Sequence, residues 1–199
     1  MKDVTFASDE PGVTLAGTLV WPSGDGPFPA VALVSGSGAQ NRDEEIFGHR
    51  PFHVLADALV RADIAVLRYD DRGVGESTGN FDLATSADFA RDARGAVRYL
   101  ATQDAFAVRE LGLIGHSEGG LVAPMVADET SDVQFLVLLA APAVNGGETL
   151  VSQARVAAAA EGATGESLQA AVATQQALVD CFGSGDTAGI ERCLRDVLR

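Results

Sequence analysis

Positive charge is scarce in this chain. Lys2 is its single lysine, and 28 acidic residues against 14 basic ones leave a formal net charge of −14. Such a surface disfavours nucleic acid and anionic membrane as partners, because it offers few cations to neutralise phosphate. Cysteine is almost missing: Cys181 and Cys193 are the only two. Two cysteines near the end make neither a disulfide scaffold nor a zinc site; they read as reduced core residues, with a bridge between adjacent helices as the alternative. Nothing in the sequence asks for a metal or another cofactor. No apolar run approaches the ~20 residues that cross a bilayer. Met1–Val4 opens without the apolar core of a signal peptide, so a cytoplasmic location is expected. Histidine is the scarcity with most consequence. The chain has His49, His53 and His116, and none after that.

What is there suits a soluble globular chain: 199 residues, 47% hydrophobic and 21% charged. The chain is organised around Leu111-Gly-Leu-Ile-Gly-His-Ser-Glu-Gly-Gly120. Leu111, Leu113 and Ile114 suit a short buried strand. Gly115-His116-Ser117-Glu118-Gly119 fits G-x-S-x-G, in which a serine at a sharp strand-to-helix turn presents its hydroxyl above a sheet. Gly115 and Gly119 leave room where the strand and helix backbones nearly touch. Gly120 to Ala127 reads as the following buried helix, whose N-terminal N–H groups favour developing negative charge at the same spot.

The rest of the chain supplies context. Val4–Ser8 and Thr14–Trp21 alternate apolar and polar residues about Asp9-Glu-Pro-Gly12, a pair of adjoining antiparallel strands. Pro29–Val34 is a strand too apolar to have a wet face. Helices are expected over Pro51–Ala62 and from Ser86, which can act as N-cap. Strands are expected at Ile64–Tyr69 and Val133–Ala140. Strand–helix alternation from Pro29 onward implies a mostly parallel sheet with helices on both faces, so the class is α/β. After Gly147 the strand signal stops, and three helices follow: Leu150–Glu161, Glu166–Phe182 and Thr187–Leu198, with Gly183–Asp186 as a break. This places a core at 1–146 and a helical segment at 147–199. Neither glycine loop is a nucleotide site: Gly36-x-Gly38 lacks a third glycine, and Gly75-Glu-Ser-Thr has glutamate where a phosphate loop needs lysine. Asp71-Arg72-Gly73 reads as a loop held by a local ion pair, and Asn41–Glu44 as structural.

Three motifs in order resemble the α/β-hydrolase fold across the chain: Val31-Ala-Leu-Val-Ser-Gly-Ser-Gly38, Arg68-Tyr-Asp-Asp-Arg-Gly-Val-Gly-Glu-Ser77 and the Ser117 elbow. They look most like bacterial hydrolases with an oxyanion loop of SGSG-x-Q-x-RDE form, related to serine aminopeptidases and lipase-type esterases. The resemblance implies Ser117 as nucleophile and the backbone N–H of Glu118 as one oxyanion donor. The second donor comes from Ser37, with Gly38 as alternate. It implies a small-molecule acyl ester as substrate, with 147–199 where many relatives insert a lid.

In that fold the triad runs Ser, then Asp or Glu, then His, and here every histidine precedes Ser117. The chain therefore reads as the front portion of a hydrolase, ending before the acid and the histidine. Two function classes follow: a serine hydrolase cleaving carboxylic esters, with peptides or thioesters as variants, or a catalytically incomplete fragment or binding module that keeps the fold.

Overall fold

Alternating residues on either side of the Asp9–Gly12 turn pair as β1 (Lys2–Ala7) and β2 (Thr14–Val20), antiparallel, with Val4 opposite Gly17. The computed structural model describes residues 1–183 and 187–197. Four parallel strands extend the sheet: β3 (Phe28–Val34), β4 (Ala65–Tyr69), β5 (Val108–His116) and β6 (Phe135–Leu139). The spatial order is β1-β2-β4-β3-β5-β6, with β2 antiparallel to β4. The β6 ends fall inside the expected range. The Gln134 side chain, by accepting from Leu111 N–H, closes one end, and Ala140 at φ +50° closes the other.

Residues two apart along each strand share a face. Val31, Leu33, Val66 and Ile114 meet Phe52 and Ala56 of helix α1 (Pro51–Arg61) on one side. Ala32, Leu67 and Leu113 meet Ala93, Val97 and Val122 on the other, from α2 (Ser86–Ala101) and α3 (Gly119–Glu129). Both faces are covered, which is why β3 has no wet side. The helices divide this way because crossovers are right-handed. The chain steps from β3 outward to β4, then back past β3 to β5 and β6, so opposite directions place helices on opposite faces. The reversal falls between β3 and β5, and in open α/β sheets a crevice opens beyond the carboxyl ends of such a strand pair.

Thr85, not Ser86, is the N-cap of α2: the Thr85 side chain and Asp88 form a reciprocal capping box. Ser86 is left to bond elsewhere. β6 lies at the sheet edge, and its Val137, Leu138 and Leu139 are 39%, 47% and 37% exposed.

Residues Met1–Ala141 form one unit and Pro142–Arg199 a second. The second holds α4 (Gly146–Ala160), α5 (Gly165–Gly183) and α6 (Thr187–Val197). Asn145 caps α4 by accepting from Glu148 N–H. No residue of α4 is buried and only Cys181 of α5 is. The expectation of reduced cysteines is corrected: Cys181 and Cys193 form a disulfide joining α5 to α6, their Cα atoms 5.6 Å apart. Of the expected break at Gly183–Asp186, Gly183 is the last residue of α5, and the remainder, with the expected last helical residue, Leu198, lies outside the described residues. Among the described residues no helix is long and apolar enough to cross a membrane.

Candidate active site

β5 passes into α3 through a turn only two residues long, Ser117 and Glu118. Ser117 has φ +51°, a region that costs a residue with a Cβ on the order of 1–3 kcal/mol. Hydrogen bonds hold it there. Its N–H donates to Leu139 O at the end of β6, 2.9 Å, and its carbonyl accepts from Gly120 N–H, 2.9 Å. The flanking glycines are a steric necessity. A methyl on Gly115 would lie 2.1 Å from Gly119 O, and one on Gly119 would lie 2.2 Å from Val34 O. Strand, turn and helix backbones are in contact, as the spacing in the sequence implies.

The loop after β3 comes to the same place. Val34 is in register with Gly115, and a methyl on Gly36 would lie 3.1 Å from Ser117 Cβ. Gly36 N–H donates to Glu44 Oε1 at 2.7 Å and is thereby taken. Ser37 and Gly38 are exposed, with Gly38 at φ +98°. Among the described residues, the N–H groups of Ser37, Gly38 and Glu118 and the Ser117 hydroxyl have no hydrogen-bond partner.

The neighbours of Ser117 point elsewhere. Glu118 Oε1 accepts from Ser86 Oγ at the start of α2, 2.7 Å. His116 Nδ1 lies 2.7 Å from Glu44 Oε1. His49 and His53 are exposed, before and within α1, and neither is hydrogen-bonded to Ser117.

Beneath the loop lies Asp71, 6% exposed. Its two oxygens accept from Ser35 Oγ–H at 2.6 Å and from Gln40 N–H at 3.0 Å. Burial pushes its pKa up to about 7; those two donors oppose the rise, and Asp92 and Glu44 add to it. The cavity between loop and turn is about 10 Å³, lined by Ser35, Gly36, Asp71, Asp92 and Glu118 among others. It is water-sized, too small for a substrate.

The ion pairs around this loop are long-range, which corrects the expectation for Asp71-Arg72-Gly73. Arg72 does not pair locally. It donates to both oxygens of Asp92, at 2.7 and 2.9 Å, and to Glu10 Oε2 at 2.7 Å, tying the loop to α2 and to the β1–β2 turn. Arg42 holds Asp70 at 2.7 Å, and Asp43 pairs with Arg68. Among the described residues no group of three or more His, Cys, Asp or Glu is placed to hold a metal. The roles of Asp71, Glu44 and Ser86 were not foreseen. Their partners stand 36, 72 and 32 positions away, so no local spacing announces them.

A family model described as serine aminopeptidase, S33, matches residues 49–190. Esterase EstD of Thermotoga maritima is 36% identical over 142 residues, covering 71% of this chain and 32% of its own length. A carbamate hydrolase named as putative, RutD of Variovorax paradoxus, is 42% identical over 84 residues, 41% of this chain and 29% of its own. The chain thus spans about a third of the length of these relatives. The Pyrococcus furiosus esterase Pf2001 superposes with a TM-score of 0.64 at 22% identity, over 88% of this chain and 61% of that one. The α/β-hydrolase GrgF from Penicillium superposes at 0.63 and 23%, over 80% and 52%. The family match begins at residue 49, after the loop that carries Ser37, Gly38 and Glu44.

Proposed function

The chain belongs to the serine aminopeptidase (S33) family of α/β-hydrolases, and from that premise we propose that Ser117 is the nucleophile of a serine hydrolase. The observation that carries this reading is Ser117 at φ +51° beyond the carboxyl end of β5, with the β3 loop against it. Strain of this kind concentrates where a side chain must be presented for chemistry.

In the proposed reaction Ser117 Oγ attacks an ester carbonyl. The new C–O bond pushes an electron pair onto the carbonyl oxygen. The Glu118 N–H receives that charge together with Ser37 N–H, or Gly38 N–H as alternate. Removing one such donor costs about 10²–10³ in rate in well-studied enzymes. The intermediate then expels the alcohol and leaves an acyl group on Ser117, which water removes. A small-molecule acyl ester is the proposed substrate, following the esterase relatives, with peptide and thioester bonds as variants. Residues 147–199 are proposed as a helical cap. Its support is the apolar recess of about 380 Å³ within that unit, lined by Leu150, Leu178, Val179 and Phe182 among others. A cytoplasmic location is proposed with a condition attached: thiols are kept reduced there, so the Cys181–Cys193 bond would be open.

The serine proton needs an acceptor during attack, and no histidine follows position 116. That observation favours a second reading of these 199 residues, a binding module that keeps the hydrolase fold without catalysis of its own. One experiment tests the first reading. A fluorophosphonate probe, followed by peptide mapping, should place its adduct on Ser117, and Ser117→Ala should remove it. An adduct on Ser37 or Ser77 would sink the assignment.

A further inference from the structure

Glu44 carries two energetic costs in one residue. Its backbone is at φ +50°, and its carboxyl is buried, the residue 6% exposed. Neither helps a turn to form. Both place one oxygen, Oε1, 2.7 Å from Gly36 N and 2.7 Å from His116 Nδ1. The hydrogen between Glu44 and His116 resides on Nδ1, since two bare acceptors would repel at that distance. One oxygen therefore accepts from both sides of the crevice: the residue before Ser37 and the residue before Ser117.

The turn around Glu44 is itself fixed. Its N–H donates to Asn41 O, and Asn41 Oδ1 accepts from Asp43 N–H and Glu45 N–H. Asp43 is paired with Arg68 and accepts from Phe52 N–H at the start of α1. Glu44 is thus a rigid arm from the sheet, reaching the two segments that must keep their spacing.

We propose that Glu44 is a positioning residue that clamps the Ser35–Gly38 loop to the Ser117 turn and so sets the separation between the oxyanion donors and the nucleophile. The inference rests on the reading of Ser117 as nucleophile. Glu44 does not touch substrate, and it acts through Gly36 and His116. It also gives His116 a function other than general base, since Nδ1–H is spent on the clamp. Donors serve an oxyanion only within about 2.7–3.1 Å of it, and a misplacement near 1 Å costs about 10²-fold.

The test uses the full 199-residue chain with Glu44→Ala, Glu44→Asp and Glu44→Gln. Glu44→Asp keeps the charge but withdraws it by one methylene, and it carries the test should Glu44→Ala fail to fold. Trp21 fluorescence reports the folded fraction. Two readouts are taken. NMR follows hydrogen exchange at Gly36 N–H and the ring ¹⁵N shifts of His116. The second-order rate of fluorophosphonate labelling at Ser117 follows function. In Glu44→Ala and Glu44→Asp we expect faster Gly36 exchange, loss of the Nδ1–H form, and labelling slowed about 10²-fold per folded molecule. Glu44→Gln, whose amide oxygen accepts at the same place, should restore labelling to within about threefold. Unchanged Gly36 and His116 signals in Glu44→Ala or Glu44→Asp would overturn the clamp. So would altered signals with labelling slowed less than threefold, or a Glu44→Gln rate as low as that of Glu44→Asp. Labelling that survives Ser117→Ala would overturn the nucleophile and with it the role assigned to Glu44. The NMR signals would then still show an intact clamp, which separates that failure from failure of the clamp itself.

Discussion

The sheet unit and the helical unit hold apolar helices by different means. In Met1–Ala141, strands bury residues on both faces, and buried charged groups such as Arg72 and Asp92 pair across the fold. In Pro142–Arg199, α4 buries nothing, and Leu150, Val156 and Phe182 are 50%, 66% and 61% exposed. There the Cys181–Cys193 disulfide ties α6 to α5, a covalent link that the sheet unit lacks. The lesson concerns preorganisation. A strained serine and two loops with unpaired N–H groups need a scaffold that over-determines them. The first unit has one, whereas the helices of the second leave most of their apolar side chains partly or fully exposed.

The largest effect should come from cutting a long-range tie in the sheet unit. Arg72→Ala leaves Asp92, 1% exposed, as an uncompensated buried charge, which costs about 3–5 kcal/mol. Urea unfolding followed by Trp21 fluorescence checks this, since Trp21 packs on Phe106 in the sheet unit. A loss under about 1 kcal/mol would remove the contrast between the units.

That tie also shows where sequence reading stops. The strands, the helices and the α/β class were legible, because periods of two and 3.6 and the G-x-S-x-G spacing are local signals. The sharp strand-to-helix turn at Ser117, with Gly115 and Gly119 on either side of it, was legible for the same reason. The partners of Arg72 were not: Asp92 and Glu10 are 20 and 62 positions away. Nor was Asp71 legible as the anchor of the β3 loop. An Asp-Asp-Arg run does not say which carboxylate faces inward. Thr85 and Ser86 are both good caps, and the capping box of Thr85 with Asp88, with Ser86 bonded to Glu118, decides between them. Two cysteines 12 apart pair only if a helical turn brings them together.

Next in size is reduction of Cys181–Cys193. Closing a loop of this length contributes about 2–3 kcal/mol. Reduction should lower helical ellipticity on heating and leave the Trp21 midpoint unmoved. A parallel fall in both would show one cooperative body where the contrast needs two.

The last effect, smallest when read per pH unit, sharpens the sheet side. Asp71 has a folded pKa of about 7, raised chiefly by burial, against an ordinary value near ~3.9 in the unfolded chain. Between about pH 4 and 7 the native state holds the extra proton, so stability falls as pH rises through that window. One group contributes at most about 1.4 kcal/mol per pH unit. Asp71→Asn mimics the neutral form and should flatten that part of the curve. Parallel curves for the two proteins would contradict the assignment.

Hydrolysis of p-nitrophenyl acetate by these 199 residues tests the proposed nucleophile most directly. The chain and its Ser117→Ala variant are compared near neutral pH. Oxyanion donors and binding alone leave roughly 10³–10⁴ over water. We therefore expect a slow rate, well below ~1 s⁻¹, the low end for working enzymes, and we expect Ser117→Ala to lower it further. A rate near ~1 s⁻¹ or above that Ser117→Ala abolishes would mean that a base is present, with His49 and His53 the first to replace. A rate that Ser117→Ala leaves unchanged would mean that Ser117 is not the nucleophile.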